Sequence, residues 1–178
     1  MTQTQQRLAA IDIGTNSIRC INVEMDEKTG FRVIDDEKTT VRLGEGLSET
    51  GMISVAAWER AREALLRMRK ITDGLGAAFI EAVATSAVRK ASNGEAFVAA
   101  MKKETGVDIR VIDGEEEAEL AALSARHHFD MANTRFGLVD IGGGSIEIVT
   151  ATGIHIEEVF SQELGAVFLT ENFLDSDP

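Results

Sequence analysis

Alternating apolar and polar positions predict strands over Leu8–Ile13, Ile18–Met25 and Phe31–Asp36, since successive side chains of a half-buried strand point to opposite faces. A loop from Val41 to Ile53 follows. Ser54 stands where it can cap a helix running to about Lys70, with Ala57, Ala61, Leu65 and Met68 near helical spacing. Trp58 on that helix reads as packing. The short apolar run Phe79–Ala84 predicts a buried strand leading into Thr85-Ser86-Ala87-Val88-Arg89. Asn93 is expected to cap a helix that Gly106 ends, Val107–Ile112 forms another strand, and Glu115 to about His128 is helical. Three strands and a helix of about Ala166–Leu174 then close the pattern. This order predicts an α/β chain in two related lobes, 1–126 and 127–178, the second incomplete. A lobe stopping at Pro178 leaves unpaired edges and an uncovered apolar face, so the chain reads as a fragment of a longer protein.

The division into lobes rests on a repeat. Ala10-Ile11-Asp12-Ile13-Gly14-Thr15-Asn16-Ser17-Ile18 and Val139-Asp140-Ile141-Gly142-Gly143-Gly144-Ser145-Ile146 lie 128 positions apart and share one pattern. Each is an apolar strand with an Asp near its end, a turn of small residues carrying a hydroxyl, and a second strand. The first copy continues through Lys28-Thr29-Gly30 into Phe31-Arg32-Val33-Ile34, the second through Thr152-Gly153 into Ile154-His155-Ile156, so both open a β-meander. A strand followed by a turn produces Asp-Ile-Gly without any chemistry. Two copies with matching hairpins favour a paired site in which carboxylates, backbone N–H groups and hydroxyls surround a metal-bound phosphate. No G-x-x-x-x-G-K-[ST] occurs, and Gly142-Gly143-Gly144 opens a strand where a dinucleotide site would open a helix.

Composition narrows the partners. The 178 residues are 44% hydrophobic with one Pro, enough for a real core. A net charge of −12, with no basic run longer than Arg67-Met68-Arg69-Lys70, argues against a nucleic-acid or anionic-membrane surface. No apolar stretch approaches membrane-spanning length, and Met1 to Arg7 is a polar tail without a signal-peptide core. The single Cys20, on a strand, gives no disulfide framework and sets a cytoplasmic location as the expectation. It reads as a small buried residue, and His127, His128 and His155 lack metal-ligand spacing and read as structural.

The motifs together point to a family. Besides the two turns, Val41-Arg42-Leu43-Gly44-Glu45-Gly46-Leu47, Ala84-Thr85-Ser86-Ala87-Val88-Arg89-Lys90-Ala91-Ser92-Asn93 and Gly114-Glu115-Glu116-Glu117-Ala118 occur in family order. The chain resembles the exopolyphosphatase and guanosine pentaphosphate phosphohydrolase family over essentially its full length. The resemblance implies duplicated lobes of the actin-like ATPase, ribonuclease H-like fold, closing on a phosphate. It implies Mg²⁺-assisted hydrolysis of the terminal phosphate of inorganic polyphosphate or of guanosine pentaphosphate. Glu117 aligns with the family's water-activating Glu; by composition alone, Glu115, Glu116, Glu117 and Glu119 form a solvated first helical turn. Asp12 and Asp140 would bind Mg²⁺, or make strand-end turn hydrogen bonds. Gly14, Asn16, Ser17, Gly142, Gly143, Gly144 and Ser145 would cradle phosphate. Arg89 would offer a planar fork to phosphate oxygens, and Glu147 would hold metal or water, or simply face outward from its strand. Ile146 departs from the family's Thr at that position. A homodimer is a further expectation for the full-length protein.

Polyphosphate and guanosine pentaphosphate both stay open as substrates, because these residues recognise phosphate and none stacks a guanine. A sugar- or acetate-type kinase of the same fold would need a nucleotide pocket in the second lobe. A non-catalytic phosphate or nucleotide sensor has no need of Glu117.

Overall fold

The computed structural model describes residues 6–26 and 30–174. The turn expected at Lys28 and Thr29, most of the amino-terminal polar tail and Pro178 lie outside the described residues. β1 (Arg7–Ile13), β2 (Ser17–Asp26) and β3 (Gly30–Thr40) form an antiparallel meander. β4 (Phe79–Ala84) adds to β1 in parallel and β5 (Ile109–Val111) to β4, giving the order β3-β2-β1-β4-β5. β6 (Arg135–Ile141), β7 (Ile146–Thr152) and β8 (His155–Gln162) build a second sheet that repeats the meander. The registers match as well: Asp12 lies opposite Arg19 and Ile13 opposite Ile18, while Asp140 lies opposite Glu147 and Ile141 opposite Ile146.

Helices α1 (Leu47–Thr50), α2 (Val55–Gly74), α3 (Ser86–Lys90), α4 (Gly94–Thr105), α5 (Gly114–His128) and α6 (Ala166–Phe173) complete the fold. Ser54 caps α2 as its position predicts, its hydroxyl accepting the Ala57 N–H at 3.2 Å. The buried face of α2, from Ala57 through Leu65 and Met68, packs with Ile11, Ile13, Ile18 and Phe97 in the main core. Each fully buried large side chain there contributes roughly 1.5–3 kcal/mol of transfer free energy. Trp58 meets Phe97 edge-on, with ring centroids 5.2 Å apart, which is packing. Cys20 is buried, and that burial pushes its thiol pKa up.

Three local expectations need correction. β3 runs on to Thr40 past the expected Asp36, because pairing with β2 continues after a bulge at Asn22/Val23. The expected loop from Val41 contains the one-turn helix α1. Asn93 precedes α4 but its side chain does not cap it: the amide brackets Ile53, accepting from its N–H at 2.9 Å and donating to its carbonyl at 3.0 Å. A tertiary partner has outcompeted the cap.

α5 belongs by packing to the second sheet, where Ala118 and Ala122 meet Val149 and Ala151. The opposite face of that sheet is bare. The cross-strand row Val139–Ile148–Phe160 and the adjacent Ile141 are exposed, Val139 at 57% and Ile141 at 66%. Their counterparts in the first sheet, Ile11 and Ile13, are each at 1% beneath the main core. No helix among the described residues is long and apolar enough to cross a membrane.

Candidate active site

The two repeat turns close in the same way. The Gly14 N–H donates to the Ser17 carbonyl at 3.0 Å, and the Gly142 N–H to the Ser145 carbonyl at 2.9 Å. Each turn is also tied from behind by the segment that follows its third strand. Gly44 N–H reaches the Thr15 carbonyl at 2.9 Å, and Val41 and Arg42 reach that of Asn16. In the second copy the first amides of α6 do this work, Ala166 donating to Gly142 at 2.9 Å and Val167 to Gly143 at 2.8 Å. Lys90 Nζ holds the Gly144 carbonyl at 3.2 Å. With these three carbonyls engaged, the N–H groups of Gly143 and Gly144 have no backbone acceptor among the described residues, which leaves them to an anion.

The second turn is pressed against the first. A Cβ on Gly144 would lie 2.5 Å from Thr15 Oγ1 and 2.6 Å from Ser86 Oγ, so a side chain there has no room. A Cβ on Gly165 would collide with the Gly143–Gly144 peptide. The absence of side chains thus serves close packing as well as approach to a ligand.

Between the sheets lies a cleft of about 740 Å³. Asp12, Gly14, Asn16 and Ser17 line one wall, and Asp140, Gly142, Gly143, Gly144, Ser145 and Glu147 line the other, with Glu117 at their margin. Desolvation in the cleft and the facing charge of Asp140 raise the Asp12 pKa, against the opposing pull of Arg19 and Lys38. Burial first, and then the nearby Glu147 charge, push Glu117 up to about 7, while Arg89 and a hydrogen bond from Thr85 pull the other way. Glu147 is 2% exposed and accepts the Ser161 hydroxyl at 2.9 Å. α5 delivers Glu117 because Asp113 caps its first turn, accepting the Glu116 N–H at 2.8 Å.

Among the described residues no group of three or more His, Cys, Asp or Glu side chains gathers in metal-binding geometry. Asp12 and Asp140 suit an ion that takes one or two carboxylates and fills its shell with phosphate oxygens and water. Mutual repulsion of their charges is what such a cation relieves.

Arg89 is the one predicted site residue that does not line this cleft. Its guanidinium donates to the Ile112 carbonyl at 2.7 Å and to Glu117 Oε2 at 3.3 Å. Its partner is therefore the Glu117 carboxylate. Sequence reasoning missed Thr15, Arg19, Lys38, Arg42, Thr85 and Glu171, which also line the cleft. Arg19 was within reach of a register argument, since a closed four-residue turn sets it opposite Asp12. Glu171 had no local signal: it comes from α6 to accept the Gly46 N–H and Ser48 hydroxyl, each at 3.1 Å.

Two copies of one strand–Asp–turn unit, facing each other across a cleft, define a duplicated α/β protein of the actin-like ATPase fold. Residues 4–178 match the Ppx/GppA phosphatase family, and the chain belongs to that family. It is 33% identical over 172 residues to exopolyphosphatase 1 of Mycobacterium tuberculosis, covering 97% of this chain and 50% of that protein. The crystal structure of an exopolyphosphatase from Cytophaga hutchinsonii superposes with a TM-score of 0.92 at 34% identity, over 97% of this chain and 55% of that one. The likeness of fold alone extends to the ethanolamine utilization protein EutJ from Carboxydothermus hydrogenoformans, at 16% identity and a TM-score of 0.56 over 96% of this chain and 57% of that one. The chain spans about half the length of the curated relatives it matches.

Proposed function

We propose that this chain carries the hydrolytic centre of an exopolyphosphatase, releasing the terminal phosphate of inorganic polyphosphate. The observation that carries this reading is Glu117, a desolvated carboxyl with a pKa near 7 at the edge of a cleft lined by two phosphate-binding turns. A group titrating near neutrality is ionised often enough to take a proton from water and basic enough to do so effectively. The inorganic chain is preferred to guanosine pentaphosphate because no aromatic side chain lines the cleft among the described residues. Names of the relatives at 33% and 38% identity agree with that preference.

In this mechanism the amides of Gly143 and Gly144 and the side chains of Ser17 and Ser145 hold the terminal phosphoryl group. Asp12 and Asp140 would hold Mg²⁺, which when bound supplies charge neutralisation to the phosphoryl oxygens. Glu117 orients the water and accepts its proton as the oxygen bonds to phosphorus and the bond to the leaving chain breaks. Arg89 acts on Glu117, holding its carboxylate in place and limiting the rise of its pKa. Glu147, fixed by Ser161, stands beside Asp140 and raises the basicity of Glu117.

Replacing Glu117 with Gln in the full-length gene product is the test. Turnover of polyphosphate should fall roughly 10²- to 10⁴-fold, with KM little changed, because Gln keeps size and hydrogen bonding but accepts no proton. Unchanged kcat under saturating polyphosphate and Mg²⁺ would remove Glu117 from the mechanism.

A further inference from the structure

The two meanders repeat in backbone but not in charge. In the second sheet, one cross-strand row reads Asp140–Glu147–Ser161. The equivalent row of the first sheet, at the same offset from its turn, reads Asp12–Arg19–Lys38. Alternation puts Asp12, Arg19 and Lys38 on the exposed face while their neighbours Ile11, Ile13, Ile18 and Cys20 are buried. Duplication has therefore produced one acidic row and one that turns basic as it leaves the turn.

Arg42 extends the basic row. It is the single non-glycine residue with positive φ among the described residues, at 50°, a conformation that disfavours a side chain with a Cβ. The backbone holds it there: its N–H donates to Asn16 at 2.9 Å, and its carbonyl accepts from Glu45 at 3.1 Å. Arg19 is occupied by Asp36 through two hydrogen bonds, at 2.9 and 2.7 Å. Lys38 and Arg42 line the same cleft and make no side-chain hydrogen bond or ion pair among the described residues. Lys38 acts on Asp12 and Asp36 only through its charge, so in a chain of net charge −12 two cations with no hydrogen bond or close ion pair stand on one wall of the cleft, open to a ligand.

We infer that Lys38 and Arg42 form a subsite for the body of a linear phosphate chain, binding phosphates upstream of the one held at the turns. This rests on the hydrolytic reading above and adds its specificity: affinity grows with the number of phosphates reaching along β3. Because the cations are exposed, their contribution is screened by salt.

The test uses the full-length gene product with Lys38→Gln, Arg42→Asn and, as a control for bulk charge, Lys102→Gln on the distant helix α4. Asn tolerates the backbone angle at position 42. Each of the first two variants should raise KM for long-chain polyphosphate about five- to twenty-fold, the range of partly exposed charge-assisted contacts. The rise should be smaller with tripolyphosphate, and KM should respond less steeply to added salt. Should Arg42→Asn fail to fold, Lys38→Gln alone carries the comparison. Long-chain KM values equal to that of Lys102→Gln would overturn the inference. Failure of the wild type to release phosphate would instead overturn the hydrolytic reading. Equilibrium binding of long-chain polyphosphate, which needs no turnover, then decides the subsite: weaker binding by Lys38→Gln supports it and equal binding refutes it.

Discussion

At the scale of single residues, the proposed chemistry depends on what surrounds Glu117. Its carboxyl is desolvated and faces the Glu147 charge, and one guanidinium, that of Arg89, opposes both. A base must be ionised, so kcat for polyphosphate should rise with pH through about 7 and level off above it. A pH–rate profile checks this. Arg89→Ala removes a charge that lowers the Glu117 pKa, so the rising limb should move toward more alkaline pH, with activity partly regained there. Arg89→Lys should move it less. The same shift has a stability side. Glu117 is raised in the folded state, so its contribution to stability is complete below the ordinary Glu pKa and is lost as pH rises through about 7. Glu117→Gln should accordingly raise Tm relative to wild type more at pH 8 than at pH 5, measured by thermal unfolding.

At the scale of elements, each repeat turn is rigid because its carbonyls are occupied from behind. That backing depends on close approach, so Gly144→Ala should force Thr15 and Ser86 apart and cost about 1–3 kcal/mol by overpacking. Urea unfolding measures this, with loss of phosphate affinity alongside. Ser54→Ala, far from the cleft, should cost about 1 kcal/mol through its lost cap and leave KM unchanged. The turns were legible in the sequence because strand, Asp and small-residue turn are contiguous, and so was the Ser54 cap, whose bond spans three residues. Lys38 and Arg42 were not. Their place depends on a bulge at Asn22/Val23 and on a ladder extending β3 beyond its alternating stretch. The direction of Arg89 was not legible, because it is set by the Ile112 carbonyl on a distant segment. Asn93 misled for the same reason, since its amide finds Ile53 and leaves the helix uncapped.

At the scale of the whole molecule, the main core spans β1, β2, β4 and β5 with α2 and α4, while the second sheet rests on a small cluster beneath α5. In the 178-residue chain, amides of Arg7–Ile13 and Phe79–Ala84 should therefore exchange more slowly than those of Ile146–Thr152, as hydrogen exchange will measure. The bare face through Val139, Ile148 and Phe160 should bind a hydrophobic dye, and Val139→Thr with Ile141→Thr should reduce the signal. The mismatch between the two cross-strand rows has a directional meaning. Past the paired aspartates, one side of the cleft carries Arg19 and Lys38, and the other Glu147 and Ser161. On the proposed reading, a polyanion threaded through would have to pass the Glu147 carboxylate, whereas one that stops at the turns would leave its body beside Arg19 and Lys38. Under the proposed function, the duplicated scaffold would be a one-way socket, admitting a chain by its tip and turning away its middle.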